Sequence, residues 1–144
     1  MLVVADASIL VTALTTGARE RIQVQRWLVE LTGDQPVHVV RNLTNLEYLS
    51  AIRNLSLQQK LSERHASIAI RAFIDLPSRR MDVTQAMASR IWEMRHNLTA
   101  YDAAYVALAE RMQSEYKDDV VVATDDARLA RAPGVLVAVR SFPR

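Results

Sequence analysis

Two short runs in this sequence are apolar at every position, Leu2-Val3-Val4-Ala5 and Val120-Val121-Val122-Ala123, and each stops at an acid. Asp6 follows the first and Thr124-Asp125-Asp126 the second. A strand with one wet face alternates apolar and polar side chains, so a run that never alternates needs cover on both faces. That condition is met by central strands of a parallel sheet with helices on either side. Ligands of such sheets gather outside the carboxyl ends of the strands, where these acids stand.

The rest of the chain fits that frame. Val37–Val40, Arg79–Val83 and Val135–Val139 read as further strands. Helical stretches separate them. Ala7–Thr15 and Glu20–Leu31 are divided by Gly17, with Ile22, Trp27, Leu28 and Leu31 as an apolar stripe on the second, and Gly33–Pro36 reads as a turn. A helix starts near Thr44, another runs from about Leu57 to Leu76 before Pro77, and Thr84 caps one reaching to about His96. The segment opened by Thr99 is almost wholly apolar through Ala109, so it must be buried on most sides, and a short helix spans Asp126 to about Arg131. No Asn-Gly or Asp-Gly hairpin signal occurs, so crossovers join the strands. The expected architecture is α/β, a three-layer α/β/α sandwich around a mainly parallel sheet, with 1–144 as a single domain.

The sequence contains no cysteine, which excludes disulfides, thiolate zinc sites and cysteine nucleophiles, so a metal would be held by oxygen or imidazole. The three histidines, His38, His65 and His96, have no mutual ligand spacing, and Ser8 lacks the context of a nucleophile elbow. Net charge is +2, yet every basic residue except Lys60 and Lys117 is arginine, the side chain suited to bidentate phosphate contacts. Arg79, Arg80, Arg128 and Arg131 are the candidates for such contacts, with solvation as their default. Trp27, Trp92 and Phe73 fall at helical spacing and read as core or partner contacts. No stretch is of transmembrane length, and Asp6 interrupts the first apolar run far short of a signal peptide, so a cytoplasmic protein without a membrane role is expected.

Four acids at strand-to-helix junctions, Asp6, Glu47, Asp102 and Asp126, are the candidate site. Each has a structural explanation as a helix cap or as a charge at the positive end of a helix dipole. Thr44-Asn45-Leu46-Glu47 and Thr99-Ala100-Tyr101-Asp102 both match the capping box, and Asp6 and Asp126 stand before short helices. Jointly, however, two of them end the most apolar strands and a third opens the most apolar helix, so these segments are central neighbours. Two carboxylates about 4 Å apart repel by roughly 4 kcal/mol at an effective dielectric near 20, and a divalent cation or protonation relieves the repulsion. Mg²⁺ or Mn²⁺, which keep several waters, need only one or two direct carboxylates, and phosphoryl transfer is the chemistry that follows.

The same segments carry a family resemblance. Val4–Leu10, Leu46–Arg53, Leu98–Ala109 and Thr124–Ala130 resemble, in order and across essentially the whole chain, the four acidic motifs of PIN domains, most closely those of VapC-type toxins. The resemblance implies a metal-dependent endoribonuclease, the toxin of a type II toxin-antitoxin pair, cutting structured RNA such as tRNA or rRNA. It implies neutralisation by a cognate VapB-type antitoxin, and it favours a homodimer. By position, Asp6 and Asp102 would be the principal metal ligands, Glu47 and Asp126 would complete the acidic pocket, and Ser8 and Thr124 would support them. Asp126 is assigned over Asp125 because the family's acid stands three residues before the leucine, here Leu129. Two departures stand out. Arg41-Asn42-Leu43 occupies an approach to Glu47 where many relatives have a proline, and Asp125 adds a carboxylate where relatives often carry a small residue.

Two other functions compete. A receiver or phosphatase domain would take phosphate on an aspartate, but neither lysine lies near the last strand and no Asp-x-Asp-x-Thr follows the first. A non-catalytic interaction domain would use the acidic pocket to receive a basic partner segment.

Overall fold

The computed structural model describes residues 1–15 and 17–144. Its centre is a five-stranded sheet, all parallel, built from β1 (Leu2–Ala5), β2 (Val37–Val40), β3 (Ser78–Met81), β4 (Val120–Thr124) and β5 (Ala138–Ser141) in the order β3-β2-β1-β4-β5. The chain winds outward from β1 to β3, then returns to pair β4 on the other side of β1, with Leu2 opposite Val120 and Ala5 opposite Ala123. That reversal creates a switch point between β1 and β4, and the crevice at their carboxyl ends is where such sheets bind ligands.

Both apolar runs are buried on two faces. Val3, Ala5, Val37, Val39, Val121 and Ala123 pack beneath α1 (Ala7–Thr15), α2 (Ala18–Thr32), α3 (Leu43–Leu57) and α4 (Glu63–Ile74). Val4, Val40, Val120 and Val122 face the opposite layer, formed by a 3₁₀ turn at Gln85–Met87, α5 (Ala88–Glu93), α6 (Ala100–Tyr116) and α7 (Ala127–Ala130). Every residue from Ala103 to Ala109 in α6 is buried, the burial its composition requires. On the first layer Tyr48 stacks on Phe73 with ring centroids 4.3 Å apart and donates its hydroxyl to the Ala69 carbonyl, holding α3 against α4. On the second, Arg90 bonds Glu110 of α6 at 2.8 Å and the Gly134 carbonyl at 2.6 Å, fixing α5 to both. Among the described residues no helix is long and apolar enough to cross a membrane.

Several boundaries differ from the pattern reading. The helix expected from Leu57 starts at Glu63, because Gln59 adopts a left-handed φ of 59° and the Ser62 hydroxyl accepts from His65 N to cap a new helix. On α2 the buried stripe is Val24, Leu28 and Leu31, with Trp27 partly covered and Ile22 exposed. Thr84 makes no side-chain cap bond; it accepts from Arg111 instead, and the segment after it is a 3₁₀ turn followed by α5, which ends at Glu93. The third strand begins and ends earlier than expected, at Ser78 and Met81. The last strand begins only at Ala138, since Gly134 turns with φ 78° and Val137 drops into the core as irregular chain.

Candidate active site

Asp6 directly follows β1 and precedes α1, and both oxygens of its carboxylate accept hydrogen bonds. Oδ1 accepts from Ser8 Oγ at 2.7 Å and from Ile9 N at 3.0 Å, so Asp6 caps the helix it precedes. Oδ2 accepts from Thr124 Oγ1, at the end of the neighbouring strand, at 2.5 Å. Thr124 Oγ1 also accepts from Asp126 N, and Ser8 Oγ from Asp125 N, which locks the β4–α7 turn onto Asp6. Burial pushes the Asp6 carboxyl up to about 6, opposed by these hydrogen bonds and reinforced by the charge of Asp102.

Asp102 occupies the first turn of α6 in the expected cap. The Thr99 hydroxyl accepts from its N–H at 3.2 Å. Burial raises its carboxyl above the ordinary range, Asp126 adds to the rise, and Thr99 and Arg128 oppose it. Asp126 is the N-cap of α7, accepting from Arg128 N at 2.8 Å. Partial burial works against its charge, but that bond and the Arg128 guanidinium prevail and hold it below the usual carboxylate range.

Glu47 is not part of a capping box. Asn42, in a left-handed conformation with φ 65°, takes the cap position, α3 starts at Leu43, and Thr44 turns inward. Its hydroxyl accepts from Val40 N at 3.0 Å, satisfying the strand end, and lies 3.1 Å from the Tyr105 hydroxyl. Tyr105 donates to Glu47 Oε1 at 2.6 Å, so a residue of α6 orients the glutamate. Burial raises the Glu47 carboxyl, Tyr105 opposes the rise and Asp102 adds to it. The part of Tyr105 in the site escaped the sequence reading, and Thr44 was expected as a helix cap instead. The signal available was a hydroxyl in an otherwise apolar stretch, three residues after Asp102 and hence on its face of the helix.

The four acids, with Ala7, Ser8 and Tyr105, line one cavity of about 80 Å³ at the carboxyl end of the sheet. Asp125 points elsewhere, accepting from Thr12 Oγ1 at 2.6 Å and from the Arg144 guanidinium, which also pairs with Glu20. Among the described residues no three histidine, cysteine, aspartate or glutamate side chains form a ready-made metal cage. The donors are oxygens alone, and Asp102 raises the carboxyls of both Asp6 and Glu47, a surplus of negative charge on one cavity. Such a set fits a hard cation that keeps most of its waters rather than one enclosed by protein.

His38 is buried in β2, and its Nδ1 has no hydrogen-bond partner among the described residues. Arg79 lowers its basicity further after burial has done so, and it takes no part in the cavity.

The PIN domain family profile matches residues 3–135. Ribonuclease VapC1 of Mycobacterium tuberculosis is 34% identical over 132 residues, covering 92% of this chain and 91% of that protein. Ribonuclease VapC9 of the same organism is 30% identical over 143 residues, covering 99% and 100%. Among solved structures, VapBC2 from Rickettsia felis, bound to a DNA fragment from its promoter, superposes with a TM-score of 0.66 at 11% identity, over 99% of this chain and 100% of that one. Mycobacterium tuberculosis VapC20, a sarcin-ricin-loop-cleaving toxin, gives 0.60 at 16% identity over 93% and 96%. At those identities the structures speak for the fold alone, whereas the profile and the two ribonucleases speak for descent. This chain belongs to the PIN domain family, among its VapC-type members.

Proposed function

We propose that this chain is a Mg²⁺- or Mn²⁺-dependent endoribonuclease, the toxin of a toxin-antitoxin pair, hydrolysing phosphodiester bonds of structured RNA. The observation that carries this is the convergence of Asp6, Glu47, Asp102 and Asp126, from four distant segments, on one cavity at the sheet's switch point. Asp6 and Asp102 are the direct ligands in this scheme, and Glu47 and Asp126 complete the set directly or through water. A cation held by these residues would neutralise the carboxylates and supply the acidity that readies a water for attack on phosphorus. The protein's part is orientation: Ser8, Ile9 N and Thr124 fix the Asp6 carboxylate, Tyr105 aims Glu47, and Thr99 and the α7 turn hold Asp102 and Asp126.

The substrate class is tRNA or rRNA, the partner a cognate VapB-type antitoxin, the assembly a homodimer and the compartment the cytoplasm. In this reading residues 1–144 form a single domain. Purified protein should cleave cellular RNA with either metal and lose that activity on chelation and in Asp6→Asn and Asp102→Asn, both folded by circular dichroism. Absence of cleavage by the parent, or full activity in either variant, would overturn the proposal.

One rival is an interaction domain whose acidic cavity receives a basic partner segment, a reading to which the crowding of Asp102 against Asp6 and Glu47 also lends itself. Titration separates the two, since such a domain shows no Mn²⁺-dependent heat or stabilisation.

A further inference from the structure

The surface beyond the acidic cavity continues as a groove whose chemistry changes along its length. A neighbouring cavity of about 230 Å³ shares Asp102 and Asp126 with the acidic one and adds Asn97, Leu98, Thr99 and Arg128. Leu98 and Thr99 belong in turn to a third cavity, about 430 Å³, walled by Val83, Ala88, Ile91 and Trp92. Among the described residues lining that third cavity the single charged side chain is Arg95. Two of the carboxylates therefore meet Arg128, which pairs with Asp126, before the surface becomes an apolar slot carrying one cation.

The slot is unusual for what it leaves in water. α5 contributes Ile91 to the core, and Met94 just past its end is buried, but Trp92 is 67% exposed. The Arg95 guanidinium stands 4.6 Å from the Trp92 ring centroid, and its Nη1 donates to the Trp92 carbonyl at 3.0 Å. Arg90, bonded to Glu110 and the Gly134 carbonyl, holds α5, which presents Trp92, with Arg95 in the turn that follows it. A large ring left exposed beside a tethered cation is a stacking platform: nucleobases have a π-face for the indole or the guanidinium, and their phosphates are drawn to arginine.

We propose that Trp92 and Arg95 form a base-stacking subsite that holds an unpaired nucleobase of the RNA next to the bond presented to the acidic cavity. The substrate class rests on the nuclease function proposed above. Single-stranded RNA is favoured over a protein occupant by the charge order of the groove, since Arg128 and Arg95 lie on the path a phosphate backbone would follow and the slot walls carry no acid. Trp92 and Arg95 are positioning residues here: they select and register the strand and leave the chemistry to the acids.

The test separates stacking from cleavage. In a Trp27→Phe background, so that fluorescence reports Trp92, the protein in EDTA is titrated with a single-stranded hexaribonucleotide and with the same strand made abasic. Saturable quenching by the intact strand and binding about tenfold weaker by the abasic one is expected. In cleavage assays with Mn²⁺, Trp92→Ala should raise KM roughly tenfold with kcat within about twofold, and Trp92→Phe should restore most of the loss. Equal binding of the two strands, or an unchanged KM in Trp92→Ala, would overturn the subsite. So would sedimentation showing that Trp92→Ala breaks a dimer while RNA affinity stays the same, since the face would then be a protein interface. A parent that quenches normally but cleaves nothing keeps the subsite and removes the nuclease instead.

Discussion

Tyr105 Oη donates to Glu47 Oε1 across 2.6 Å, joining the most apolar helix of one layer to the first helix after β2 in the other. The bond makes a buried phenol the orienting group of a site carboxylate, and burial together with Glu47 pushes the phenol well above its ordinary range, so it stays a donor at any working pH.

Tyr105→Phe keeps the packing and removes that donor. It also strips a partner from Thr44 Oγ1, 3.1 Å away. Loss of a buried hydrogen bond to a charged group costs about 1–3 kcal/mol, measurable by urea denaturation. Cleavage should fall in kcat with little change in KM, because substrate contacts are untouched. An unchanged kcat would show that Glu47 needs no orientation.

Asp6 gives a pH signature. Its carboxyl keeps a proton up to about 6 in the folded state and releases it near 3.8 when unfolded. The folded state therefore binds more protons in that interval, and the stability so contributed is complete below 3.8 and lost as pH rises through 6. Asp6→Asn should consequently be more stable than the parent at pH 7.5 in EDTA, by about 1–3 kcal/mol, with the gain closing toward pH 4. Thermal melts across that range check it, and a variant less stable at pH 7.5 would contradict it.

Metal should reverse the order of those two proteins. Added Mn²⁺ neutralises the crowded carboxylates, so the parent gains stability with a dependence of RT ln(1 + [L]/Kd) while Asp6→Asn and Asp102→Asn gain little. Differential scanning fluorimetry against Mn²⁺ concentration reads this directly.

Asp126 both caps α7 and faces the cavity, and the two roles can be parted. Asparagine caps as well as aspartate, so Asp126→Asn should be as stable as the parent within a few tenths of a kcal/mol, whereas Asp126→Ala should lose about 1 kcal/mol. Equal loss of cleavage in both would assign the effect to charge rather than to the cap.

Asp125 is kept out of the cavity by Thr12 and Arg144. Arg144→Ala releases that carboxylate beside the acidic site, and activity should fall. Asp125→Asn in the same background should restore it. If the double variant stays impaired, Arg144 acts by fastening Phe142 against Trp27 instead, a pair whose ring centroids are 5.6 Å apart.

The parallel sheet was legible because Leu2–Ala5 and Val120–Ala123 are apolar on both faces, a demand only a central strand meets. Asp102 was legible as a cap because Thr99 and its partner are neighbours in sequence. Glu47 was misread as a cap for a reason that is not local: Thr44 is recruited by Val40 N and Tyr105, so tertiary partners outbid the capping box, and Asn42 takes a left-handed turn that its sequence context does not announce. The last strand was misplaced because Val135 and Val137 are apolar like strand residues but fill the core from a loop, with pairing deferred to Ala138. Trp92 read as core or partner contact because helical spacing cannot tell which side of α5 is covered.

The hydrogen bond from Thr124 to Asp6 spans 118 residues, and it is reached only when β4 slides into place beside β1. During synthesis Asp6 precedes by more than a hundred residues the hydroxyl and the turn that complete its surroundings. A chain that stops short of β4 therefore carries Asp6 without the groups that aim it, so the arrangement around this carboxylate exists only once the two central strands have paired.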